Sequence, residues 1–117
     1  MSPRDAHLYL DDILTGCKNI SDFTAGMASA EELKADLKAF HAVVRNIEII
    51  GEACRQMPRK IKADHPQIPW RQLSDLRNVM AHEYFGVDIE IVWQACKKII
   101  PSLGRQIQEI YNDIGGF

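Results

Sequence analysis

Apolar residues recur at intervals of three and four along most of this chain, and no other feature constrains its fold as strongly. Leu10, Ile13, Cys17 and Ile20 make one stripe. Leu33, Leu37, Phe40, Val44, Ile47 and Cys54 make a second, and Ile89, Val92, Cys96, Ile99, Leu103, Ile107 and Ile110 a third. Successive residues advance by about 100° around an α-helix, so this spacing collects each set on one face, whereas a strand needs strict alternation. Composition agrees: aromatic residues are only 8% of the chain, and Leu, Ile, Ala, Glu, Lys and Gln, the good helix formers, abound. A chain of 117 residues has room for one domain, taken as 1–117, with a small core that gains from burial in an oligomer.

Punctuation sets the helix boundaries. Ser2-Pro3 can open a helix, the serine as cap and the proline in the first turn, and Gly26 marks its end. Ser29-Ala-Glu-Glu32 has the form of a capping box and starts a long second helix that stops before Pro58. Gly51 interrupts the stripe of that helix, where the absence of a side chain lets another backbone approach. Residues 58–69, PRKIKADHPQIP, hold three of the five prolines and predict a short helical turn followed by extended chain. Trp70 to about His82 reads as a third main helix, broken at Phe85-Gly86. Asp88 is placed to cap the last, which Pro101 should kink. The expectation is an all-α bundle of four main helices plus one short helix, with Trp70 and Trp93 in the core.

Several function classes are excluded. No apolar run reaches the ~18 residues a bilayer crossing needs, and MSPRDAHLYL lacks a secretory layout; a cytoplasmic protein is expected, with no membrane partner. Cys17, Cys54 and Cys96 are odd in number and far apart, which argues for buried free thiols rather than disulfides or a zinc finger. No metal or cofactor is expected, since His7 with Asp11 is too small a ligand set. The net charge is −2, so wholesale attraction to nucleic acid is not expected. Yet Arg55, Arg59, Lys60, Lys62, Arg71 and Arg77 face only Asp64 and Asp75 within 55–77, which permits a local basic strip.

The segment RNVMAHEY, Arg77 to Tyr84, departs from plain helix design. With Arg77 at 0°, Leu73, Leu76 and Met80 fall at about 260–320°, the core face, and Tyr84 close to it. Asp75, Asn78 and His82 fall at about 100–160°, so Asn78 and His82 are neighbours one turn apart, away from the predicted core. Arg77 lies between the two arcs. Singly, each residue has a plain explanation: a histidine bonding terminal carbonyls, a tyrosine packing at the core edge, an arginine pairing with Asp75 or Glu83. Together they supply a chemistry. Histidine titrates near neutral pH and can act as acid or base without metal. Arginine stays charged, and its planar fork suits phosphate oxygens. Asn78 can fix the imidazole tautomer or bond a phosphate.

Arg77, four residues, His82, one residue and Tyr84, with Asn78 directly after the arginine, resembles the signature of HEPN-domain ribonucleases. IGEA at 50–53, HPQIPW at 65–70, LRNVMAHEYFGVD at 76–88 and VW at 92–93 look like the HepT-like toxin branch of that superfamily. The resemblance implies a HEPN-like helical bundle and an endoribonuclease toxin that cleaves RNA, transfer RNA being a plausible class. Arg77 and His82 would be catalytic and Asn78 would position phosphate or RNA. Cleavage by 2′-hydroxyl attack would leave a 2′,3′-cyclic phosphate and a 5′-hydroxyl. It also implies a homodimer with two motifs facing one cleft, and a cognate minimal nucleotidyltransferase antitoxin that transfers AMP to Tyr84. The competing expectation is a non-catalytic HEPN module that binds nucleotide or a nucleotidyltransferase. Glu52 either orients Arg77 or is a surface acid; Glu48 reads as a surface acid, and His41 and His65 have no assigned role.

Overall fold

The computed structural model describes residues 3–82 and 88–114; Ser2 and Tyr84 lie outside them. Every element among the described residues is helical: α1 (Pro3–Thr24), α2 (Ala30–Ala35), α3 (Leu37–Gln56), α4 (Arg59–Asp64), α5 (Trp70–His82), α6 (Ile89–Gln94) and α7 (Ile100–Asp113), with a π-helical turn at Ala95–Ile99 joining α6 to α7. The expected all-α, HEPN-like bundle is therefore present, its main helices being α1, α3, α5 and the α6–α7 rod. α3 packs chiefly against α5 and α1, and α1 against α7.

The stripes meet in one core. Leu10, Ile13 and Ile20 of α1, Val43, Val44, Ile47 and Ile50 of α3, Leu73 and Met80 of α5, and Ile100, Leu103, Ile107 and Ile110 of α7 are all buried. Each fully buried side chain of this kind contributes about 1.5–3 kcal/mol relative to exposure. Asn46 is the polar exception on α3. It accepts from Asn19 Nδ2 at 3.2 Å and donates to the Ala42 carbonyl at 2.7 Å, so burial leaves its amide satisfied and ties α1 to α3. Trp70 is buried, with its indole N–H donating to the His65 carbonyl at 3.0 Å, which holds the 65–69 segment against the start of α5. Trp93 is only half-buried, packed on the core with Lys97 Nζ 4.7 Å from its ring centroid.

Two boundaries differ from expectation. The second helix is divided at Asp36, whose own N–H donates to the Leu33 carbonyl at 3.2 Å while its carboxylate accepts from Ala39 N at 3.1 Å. One residue thus ends α2 and caps α3. The break resets the helical phase, and Leu37, expected on the core stripe, is 65% exposed. The Ser29–Glu32 capping box does form, and Asp88 caps α6 by accepting from Glu90 N at 2.9 Å. Pro101 was expected to kink the last helix. Just before it the ladder widens, the Ile100 N–H reaching back to the Ala95 carbonyl. Proline offers no N–H and its ring crowds the carbonyl four residues earlier, that of Lys97; a wider turn relieves this.

Candidate active site

The arrangement around Arg77 begins with Gly51. A Cβ on Gly51 would run into the Arg77 Cβ and lie 2.7 Å from the Leu73 carbonyl oxygen. Only glycine lets α3 and α5 cross this closely, and the crossing sets the root of the arginine side chain. Beyond it, the guanidinium meets two groups among the described residues. Its Nε lies 3.6 Å from Glu52 Oε2 of α3, and its Nη1 donates to Asn78 Oδ1 at 3.1 Å. The Arg77 side chain is rooted in the bundle and remains 34% exposed.

Glu52 is itself held. Arg55 donates to it from Nη2 at 2.8 Å and Nε at 3.3 Å, and Gln56 from Nε2 at 3.2 Å. These bonds, Arg55 first and then Gln56, bring the Glu52 carboxyl down to about 2 against an opposing push from desolvation, with the charges of Arg55 and Arg77 adding smaller help. The carboxylate is therefore ionised throughout the neutral range. The open choice for Glu52 resolves in favour of contact with Arg77. The signal in the sequence was its neighbour Gly51.

A groove of about 200 Å³ runs beside Arg77, lined by Tyr9 and Asp12 of α1 and by Arg45, Glu48 and Glu52 of α3. Glu48 pairs with Arg45 at 3.5 Å, and its side chain is only 24% exposed; packing of α1 on α3 draws this expected surface acid into the groove wall. Burial and the neighbouring Asp11 raise the carboxyl of Asp12. Three carboxylates against two guanidiniums make this side unwelcoming to a phosphate. The other side of Arg77 bears Asn78, which is exposed, as is Asp75. His82 is the last residue of α5, one helical turn beyond Asn78 along the backbone. Its ring lies outside the described side chains, as Tyr84 lies outside the described residues.

Elsewhere the chemistry is plain. Cys17, Cys54 and Cys96 are buried free thiols, as expected, and burial pushes them up to about 12, 12 and 11. His7 is buried with its ring centroid 3.9 Å from that of Tyr111. Among the described residues, no three His, Cys, Asp or Glu side chains gather as a metal site would require, and no helix is long and apolar enough to cross a membrane.

A helical bundle with an arginine–asparagine pair on α5 and a histidine one turn further on is the arrangement that the resemblance to HEPN ribonucleases implies. Comparison with known proteins sharpens this. A family model described as "Ribonuclease HepT-like" matches residues 13–110. A protein of Methanocaldococcus jannaschii named "Putative RNase" is 40% identical over 116 residues, covering 99% of this chain and 95% of its own length. One from Thermococcus cleftensis, named "Probable ribonuclease HepT", is 39% identical over 102 residues, covering 87% of this chain and 92% of its own. No solved structure matches. The chain belongs to the HepT-like ribonuclease family.

Proposed function

We propose that this chain, acting as a single domain over residues 1–117, is a metal-independent endoribonuclease and the toxin of a toxin–antitoxin pair. The observation that carries the reading is the Arg77 guanidinium. It is rooted at the α3–α5 crossing, flanked by Glu52 and Asn78, and carried on a partly exposed side chain of the helix that His82 ends. Arg77 clamps the scissile phosphate and offsets the charge that builds on it in the transition state. His82 takes the 2′-hydroxyl proton or delivers one to the leaving 5′-oxygen. Asn78 orients phosphate or imidazole. The products are a 2′,3′-cyclic phosphate and a 5′-hydroxyl, with transfer RNA as the first substrate class to try.

One motif offers one imidazole, whereas attack and departure each require a proton transfer. A homodimer that joins two motifs across a twofold axis supplies both. Regulation follows the same chemistry: a nucleotidyltransferase antitoxin that places AMP on Tyr84 adds negative charge and bulk beside Arg77 and repels RNA. Incubation of the purified protein with total RNA in a metal chelator, beside His82→Ala, tests the core of the reading. Cleavage with cyclic-phosphate ends, lost in the variant at unchanged helical spectrum and oligomer mass, is expected. Cleavage that stops in chelator, or persists in His82→Ala, refutes the mechanism. If neither protein cleaves but both bind nucleotide, the non-catalytic module remains.

A further inference from the structure

We infer that Glu52 is the positioning residue of the active site: anchored by Arg55 and Gln56, it fixes the guanidinium of Arg77 in the attitude that receives the scissile phosphate. The inference rests on the ribonuclease reading for its kinetic consequence and on geometry for the positioning. An arginine has five N–H donors in one plane. Here the Nε edge faces Glu52 Oε2 at 3.6 Å and one Nη1 proton goes to Asn78. The three remaining donors, one on Nη1 and two on Nη2, have no hydrogen-bond partner among the described residues and can serve phosphate oxygens.

Glu52 is suited to this role because its place does not depend on Arg77. Two bonds from Arg55 and one from Gln56 hold the carboxylate from its own helix, and Gly51 beside it brings the base of Arg77 close. Without that fixed point, a long and partly exposed side chain samples several rotamers, and part of the phosphate-binding geometry must be assembled at each turnover. The carboxylate takes up one unit of charge while two guanidiniums flank it, so the trio remains net positive and still attracts RNA.

Glu52→Gln keeps the size of the side chain at a partly exposed position and removes its charge. The expected result is a fall in kcat of about tenfold to a hundredfold, with KM changed by less than about threefold and a urea midpoint lowered only slightly at neutral pH. In an Arg77→Lys background the same change should add nothing, because no guanidinium remains to orient. The chemical shift of Arg77 Nε–H, whose nitrogen lies 3.6 Å from Glu52 Oε2, should move in Glu52→Gln and not in His82→Ala. Wild-type kcat in Glu52→Gln, a raised kcat, or losses that multiply with Arg77→Lys would overturn the inference. So would an Arg77 Nε–H signal indifferent to Glu52, a measurement that stands even if the wild-type protein cleaves no RNA.

Discussion

Gly51→Ala tests whether α3 and α5 cross as closely as the structure places them. The added methyl would run into the Arg77 Cβ and sit 2.7 Å from the Leu73 carbonyl oxygen, where ordinary contact starts near 3.4 Å. The shortfall at the carbonyl alone is 0.7 Å, the difference of those two distances, and the obstacle is backbone that no rotamer change can move. Overpacking of this kind costs about 3 kcal/mol; alanine returns about 1 kcal/mol through helix propensity. We expect a net loss of about 2 kcal/mol in urea unfolding. Because Arg77 would be carried outward by a sizeable fraction of an ångström, cleavage should drop on the order of a hundredfold. Gly104→Ala is the control: its methyl would meet the Cys17 Cβ at 3.7 Å, ordinary contact, so propensity should prevail and stability rise by about 0.5–1 kcal/mol. If Gly51→Ala is stabilised as much as Gly104→Ala, the close crossing is wrong and the placement of Arg77 falls with it.

Further expectations concern stability and reactivity. Asp36→Ala removes the cap of α3 and should cost about 1 kcal/mol in chemical denaturation; no loss would mean that the division at residue 36 is not held by this carboxylate. Glu52, at about 2 when folded against 4.5 normally, contributes stability that is complete above pH 4.5 and fades as pH falls towards 2. With the side chain 39% exposed, that contribution is under about 1 kcal/mol, and Glu52→Gln should flatten the acid limb of the stability profile within that window. The three buried thiols should resist alkylation at pH 8 in the folded protein and all react in denaturant; rapid labelling of the native protein would contradict their burial.

Helix content and the core were legible because the three-four period reports directly on which face is buried. The start of α5 at Trp70 followed from the prolines before it; the expected break at Phe85-Gly86 lies outside the described residues. Asp36 was harder: an aspartate inside a good helical pattern reads as solvent-facing until the chain turns and its carboxylate finds the Ala39 N–H. Leu37 was misplaced for the same reason, since its phase depends on that turn. At the site, Arg77 and Asn78 were legible as a pattern, and Gly51 announced a close approach without naming the partner. Tyr9, Asp12 and Arg45 carried no local signal at all, because the groove exists only where α1 lies on α3. Glu52 was ambiguous in sequence, since a helical carboxylate flanked by Arg55 and Gln56 has ready partners of its own.

The wide turn at Ala95–Ile99 has a consequence for how this rod tolerates change in length. It already accommodates one residue more than a regular turn, so a single deletion there would let the hydrogen-bond ladder close up as ordinary α-helix. The same deletion in the middle of α7 would rotate every later side chain by about 100°, turning Ile107 and Ile110 towards water. Length variation in this helix should therefore be absorbed beside Pro101 and rejected beyond it.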